Sequence, residues 1–318
     1  MILPFTQNPP KIHHFIPIFY TQQWAGSDRR VCQFSRPREN CDRVVPKRVA
    51  PAGTGYVERL YELHGLIGED AQAFESLFMK PVDDLAAKVL YAMKSGQHMT
   101  FKTREMEAWT RFLMSLWHRH PDELKSFKQH FERSWADVTP EMELDYRRRR
   151  RSSWPSTLRE FMNSVPPAMI ERVGMTIVAD LINDRKIRER IMAMRWGSLS
   201  FPLFSNALMT SDRPLMMTSD LVSSDSFLMI PIGPKQVFYA ANTDEMVNRI
   251  RRRNHHELIA RLNERVVSQA SRFVYAMNDV QLPYVQSQMA RTPLPLLADR
   301  IADAGRERMN LTRARDQR

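Results

Sequence analysis

Cysteine and glycine are both scarce in this sequence: 318 residues contain two cysteines and ten glycines. Cys32 and Cys41 lie nine positions apart and no Cys-x-x-Cys pair exists, which excludes the usual structural zinc knuckle. In a reducing cytosol both are expected as free thiols. So few glycines supply poorly the loops whose backbone amides cradle phosphates, and neither GxGxxG nor GxxxxGK[ST] occurs. Nucleotide-dependent kinases, ATPases and Rossmann dehydrogenases are thereby disfavoured. HExxH and GxSxG are missing too. No apolar run approaches the ~18 residues that a spanning helix needs. At the N-terminus, Pro9, Pro10, Lys11, His13 and His14 interrupt the region where a signal peptide carries its apolar core. The expected location is cytoplasmic, without membrane association.

What the chain does hold is an ordinary apolar fraction, 43%, and a basic excess, 47 Lys and Arg against 36 Asp and Glu. General disorder is excluded. Ten of the basic residues are lysine and the rest arginine. Arginine forks match carboxylate and phosphate planes, so an anionic partner is the natural counterpart. The excess is dispersed apart from two blocks, residues 147–151 and 251–253, all arginine. Five arginines on one helix would point all round it. Such a run serves either as a solvated, salt-bridged helix end or as a phosphate contact.

Along the chain, residues 12–20 are rich in β-formers and are expected extended, with a return strand at 31–34. Residues 36–55, with Pro37, Pro46 and Pro51, read as a surface loop. From Tyr56 to about Arg195 the period is helical. Met106, Trp109, Leu113 and Leu116 form one stripe, and Leu124, Phe127, Phe131 and Trp135 form another after Pro121, a favoured first-turn residue. Both stripes are expected in the core. Short apolar runs at 196–201, 207–210, 215–218, 227–231 and 236–240 then read as strands between turns. A long helix capped by Thr243 is expected to run to about Gln269, followed by a strand at 272–277. The predicted fold is α+β, a helical middle inserted between N-terminal and C-terminal strands that share one sheet. It forms a single domain over residues 11–278, and residues 281–318 form a basic, partly frayed tail.

Three groups of residues have the chemistry for a site. His13 and His14 are adjacent on a strand, so they face opposite ways and cannot chelate one metal without a bulge. Either one imidazole enters a site with its neighbour behind it, or each satisfies a buried backbone group. Thr210-Ser211-Asp212-Arg213-Pro214 ends a strand. Its aspartate can bind a metal or orient a histidine, but Ser and Asp before Pro also start turns. His118 and His120 lie two apart, about 200° round a helix, and read with His255 and His256 as helix-terminal histidines.

The opening Lys11-Ile12-His13-His14-Phe15-Ile16-Pro17-Ile18-Phe19-Tyr20 resembles the start of the family Domain of Unknown Function 4238, whose members begin with a histidine pair, an aromatic, an aliphatic and proline. Trp24 fits the end of that aromatic-rich run. Ser211-Asp212-Arg213-Pro214 resembles the family's later serine–aspartate–x–proline, and Met229-Ile230-Pro231-Ile232-Gly233-Pro234 its proline-containing strand. Leu262-Asn263 and Phe273-Val274-Tyr275-Ala276 are similar to its closing helix and strand. Phe15 stands where tyrosine is commoner. The resemblance implies that His13, His14 and Asp212 belong together, which pairing of the N-terminal strand with the strand before Asp212 would achieve.

Two function classes follow. One is an interaction module contacting a partner or nucleic acid, in which the histidines and aspartate pin the fold. The alternative is a metal-dependent hydrolase, a nuclease in its sharpest form. There His13, His14, Asp212 and Arg213 are catalytic, His14 and Asp212 hold a divalent metal, and Arg213 steadies an anionic group.

Overall fold

The computed structural model describes residues 11–37, 42–63, 66, 68–95, 101–218, 220–297, 299–300 and 303. The N-terminal part contains strands β1 (Ile12–His14), β2 (Val31–Ser35), β3 (Val45–Val49) and β4 (Tyr56–Glu58), with one helical turn, α1 (Ile18–Thr21), after β1. The helical middle comprises α2 (Gly68–Ala71), a π-helical turn (Phe74–Met79), α3 (Lys80–Lys94), α4 (Thr103–His118), α5 (Pro121–Ala136), α6 (Pro140–Arg149), α7 (Leu158–Ser164), α8 (Pro167–Ile182) and α9 (Arg185–Met192). Strands β5 (Arg195–Ser200), β6 (Thr210–Ser211), β7 (Met216–Met217), β8 (Phe227–Gly233) and β9 (Gln236–Ala241) follow. Helices α10 (Asp244–Arg251) and α11 (His255–Ser268), strand β10 (Val274–Ala276) and α12 (Leu282–Gln288) complete the described order.

The α+β architecture agrees with the sequence reading. A four-stranded antiparallel sheet, β3-β2-β10-β6, joins the two ends of the chain, with Cys32 opposite Ala276 and Val274 opposite both Phe34 and Ser211. The expectation of one sheet holds only for these strands. A second sheet, β5-β9-β8-β7, is built wholly from residues 195–241, and β1 pairs with β4 alone. The N-terminal strand therefore does not lie beside the strand before Asp212, because that strand, β6, pairs with β10.

Strands β8 and β9 read as continuous apolar runs because both faces of their sheet are covered. Leu228, Ile230, Ile232, Phe238 and Ala240 pack with Trp109, Phe112 and Leu113 of α4. The alternate residues Met229, Val237, Tyr239 and Ala241 pack with Met246 and Ile250 of α10 and with Leu258 and Leu262 of α11. The helical stripe through Trp109 is core, as its spacing predicts.

Other local expectations shift. The chain leaves the extended state after His14, and α1 starts behind Pro17. Residues 45–49 form an edge strand, the place where Pro46 and alternating exposure are tolerated. The helix after Thr243 breaks at Arg252, and Asn254 caps a new one through its side chain. The first part of the segment expected as a partly frayed tail is α12, which buries Val285 and Met289 against Cys32, Phe34 and Val274. Cys32 is a buried free thiol that burial pushes up to about 11, and Cys41 lies outside the described residues.

Candidate functional site

The N-terminal motif is fixed first by backbone. Gly55, at φ +65°, turns its carbonyl to accept the amides of Phe15 (2.9 Å) and Ile16 (3.1 Å). A side chain at Gly55 would be strained and would crowd Ile16. The motif's aromatics then reach across the molecule. The Tyr20 hydroxyl lies 2.7 Å from Thr210 Oγ1 and donates to Pro231 O at 2.8 Å, and Trp24 Nε1 donates to Leu208 O at 2.7 Å.

His13 is buried, and its partners fix its tautomer. The Tyr61 amide donates to Nδ1 at 2.9 Å, so that nitrogen carries the lone pair. Nε2 lies 2.6 Å from Gln72 Oε1. The amide cannot be turned over, because Gln72 Nε2 donates to the Glu62 carboxylate at 2.8 Å. Nε2 therefore carries the proton and donates it. Both nitrogens are committed, and the ring stacks on Tyr61 at 5.4 Å.

His14 faces the other way, as strand alternation requires. It is half-buried beside Tyr56, and Nε2 donates to Ala52 O at 3.2 Å. Burial holds its pKa below the usual range, with the Arg119 charge adding to that. The ring is thus neutral near pH 7, and Nδ1 has no hydrogen-bond partner among the described residues.

Arg119 is 1% exposed. Its two terminal nitrogens donate to Asp83 Oδ1 at 2.9 and 3.0 Å, and Tyr61 Oη donates to its carbonyl at 3.2 Å. Glu75, on the π-helical turn, shares this cluster, and Glu75 Oε2 and Arg119 Nε are buried without a hydrogen-bond partner. Burial pushes the Glu75 carboxyl up to about 7, against the opposing pull of Arg119. Neither Glu75 nor Arg119 stood out in the sequence, since only the fold brings them together.

This cluster has a pH consequence. Between its ordinary 4.5 and about 7, Glu75 keeps a proton in the folded protein that the unfolded chain has released. Its contribution to stability is full below about pH 4.5 and is lost as pH rises through 7. Glu75→Gln is expected to flatten the fall in unfolding free energy between pH 5 and 8, by on the order of 2 kcal/mol across that window. Urea titrations at several pH values measure it, and parallel slopes in both proteins would refute it.

Asp212 is saturated from inside. Oδ1 accepts the Ser271 amide at 2.9 Å, and Oδ2 accepts those of Arg272 (2.5 Å) and Phe273 (3.2 Å). His120 Nε2 adds a longer contact to Oδ2 at 3.4 Å. His120 is helix-terminal, as expected, but does not belong to the helix that ends at His118. It caps the N-terminus of α5, with Nδ1 accepting the Asp122 amide at 3.2 Å. Burial lowers the pKa of His118 to about 4 and leaves it neutral, so it brings no charge to the C-terminus of α4. Arg213 reaches Glu123 at 3.2 Å and His120 Nδ1 at 3.3 Å, while Asp122 takes Ser271 Oγ and Arg272, each at 2.8 Å. The N-terminal motif touches this network through Phe15, whose ring meets His120 edge-on at 5.3 Å and stacks on Phe273.

The structure thus joins Asp212 and Arg213 to one network, through His120, and gives His13 and His14 other partners. Among the described residues no group of three or more His, Cys, Asp or Glu side chains is arranged to hold a metal ion. His14 and Asp212, the pair expected to hold a divalent metal, have separate partners, and both Asp212 oxygens are occupied by backbone amides, so this pair does not fit a divalent cation. An apolar groove of about 730 Å³ runs between α5 and α8, past Phe131, Ile170 and Met175, and none of the motif residues lines it.

The arginine run at 147–151 is also reshaped. Helix α6 ends at Arg149 and Arg150 is already extended, so residues 147–151 do not circle one helix. Arg147 and Arg149 pair with Glu143 and Asp145 one turn back, each at 3.0 Å. Arg148, Arg150 and Arg151 have no carboxylate partner among the described residues. His255 and His256 open α11, and His255 packs edge-on against Phe201.

Among the described residues no helix is long and apolar enough to cross a membrane. No curated protein and no solved structure matches the chain. The sequence profile of a family described as "Protein of unknown function (DUF4238)" matches residues 12–279, from β1 through β10. The match takes in both the histidine-pair opening and the Ser211–Pro214 turn, and the chain belongs to the DUF4238 family of proteins of unknown function.

Proposed function

We propose that this protein is a cytoplasmic, non-enzymatic interaction module that contacts nucleic acid through its arginine-rich surface, with His13 and Asp212 serving the fold. The observation that carries this reading is the state of residues 147–151. Three exposed guanidiniums there lack carboxylate partners, whereas the polar atoms of His13 and Asp212 are consumed internally. A cationic patch without internal counter-ions gains by replacing the counter-ions condensed on phosphates.

With about three phosphates engaged, affinity for labelled DNA is expected to fall about 20- to 40-fold between 50 and 200 mM salt. Combining Arg148→Ala, Arg150→Ala and Arg151→Ala is expected to remove most of that salt slope while the melting curve stays in place. Fluorescence anisotropy reads both. Binding that ignores the triple substitution, or no binding at 50 mM salt, overturns the reading.

One observation favours the hydrolase alternative. His14 is a neutral imidazole with an uncommitted Nδ1, the state a general base requires. On that reading His14 takes the proton, and Arg213 steadies the anionic substrate from the His120 network that also holds Asp212. Cleavage of the bound DNA that His14→Gln abolishes would replace the module with this enzyme.

A further inference from the structure

We propose that the turn following α6 is a docking surface for single-stranded nucleic acid, with Trp154 as the stacking platform. This rests on the nucleic-acid reading above and names the form of the ligand. The Trp154 amide donates to Arg151 O at 3.0 Å, which folds the chain back so that the Arg151 guanidinium lies 5.7 Å from the indole centroid. The ring is backed from within the protein. Tyr146 stacks on it at 6.2 Å and 21°, Phe161 packs at 5.5 Å, and the Tyr146 hydroxyl donates to Pro155 O at 2.8 Å.

In spite of this backing, Trp154 remains 37% exposed. A rigidly backed, partly open indole with the Arg151 guanidinium over its ring, and with Arg150 donating to the Trp154 carbonyl at 3.5 Å, matches the two parts of a single strand at once. A base takes the place of the Arg151 guanidinium over the ring, and the displaced Arg151, with Arg148 and Arg150, meets the flanking phosphates.

A duplex fits this surface poorly. Its base faces are stacked away from an indole. Laying α6 along a groove would also bring Glu141, Glu143 and Asp145, on the first two turns of the helix, against phosphates. The positive charge sits only at the helix end, where it also suits the helix dipole. The surface is thus a short one, sized for a few nucleotides.

The test uses the full chain with a fluorescein-labelled 15-nucleotide thymidine oligomer and a 15-base-pair duplex at 50 mM salt. The oligomer is expected to bind about tenfold more tightly than the duplex. Trp154→Ala is expected to weaken oligomer binding about tenfold and leave duplex binding unchanged, and Trp154→Phe to restore part of the loss. Trp154→Phe also guards against a local loss of fold, because it keeps the contacts with Tyr146 and Phe161. Equal affinity for the two probes, or equal weakening of both by Trp154→Ala, overturns the stacking proposal and leaves the wider reading standing. Failure of both probes to bind the wild-type protein overturns both.

Discussion

Arg119→Met is expected to lower the unfolding free energy by about 3 kcal/mol at pH 8, measured by urea denaturation. The loss comes mainly from what remains behind. Asp83 would keep a carboxylate beside Glu75 with its counter-charge gone, since Arg119 makes the ion pair that the fold supplies to Asp83. The Asp83 side chain is 22% exposed, so water recovers some of the penalty and places the figure at the low end for a broken buried pair. Methionine fills much of the vacated volume, so a cavity adds little. The expected loss is smaller at pH 5 than at pH 8, because burial has already raised both neighbouring carboxyls and protonation removes their charge at little cost. Adding Asp83→Leu to Arg119→Met should return most of the stability, as removal of a whole buried pair commonly does. A single variant that melts with the wild type, or a double variant no better than the single, would show that this pair does not hold α3 to the junction of α4 and α5.

Much of the fold could be read in advance because its signals are local. The stripe through Trp109 and Leu113, the apolar runs of β8 and β9, and the cap at Thr243 each depend on residues a few positions apart. Strand partners do not. Nothing in Ile12-His13-His14 names Tyr56-Val57-Glu58 as its neighbour, and the expectation that β1 lies beside β6 fails for that reason. His120 is a different case. Treating residues 118 and 120 as points on one helix sends them apart. Yet Pro121 already marked a new first turn, which makes residue 120 a cap whose side chain faces the next helix. Arg119, Asp83 and Glu75 carried no signal, being spread over three consecutive helical segments and joined only once these pack together. The two family landmarks do meet, though through Phe15, Tyr20 and Trp24 and not through the histidines. An aromatic's packing partners cannot be read from its spacing.

Asp212→Asn is expected to cost about 2–4 kcal/mol, although it changes almost no volume. The carboxylate accepts three backbone amides and faces His120 Nε2. A carboxamide keeps one acceptor oxygen and turns an NH₂ group toward donors, so at least one amide of residues 271–273 loses its partner. Water reaches Ser271 and Arg272, which limits the penalty there, whereas Phe273 is less accessible. The loop that carries β10 into the central sheet is held by these bonds, so loosening it should also weaken the edge contact of Phe15 with His120. The sign of the change separates the two roles of this residue. A carboxylate kept for metal binding or catalysis usually stands against its own charge, and neutralising it leaves the fold as stable or more so. A carboxylate kept to cap backbone amides does the opposite. A lower melting temperature for Asp212→Asn, with DNA affinity and its salt slope preserved, is the outcome expected of the interaction module. A higher melting temperature would move Asp212 to the reacting residues, and the hydrolase reading with it.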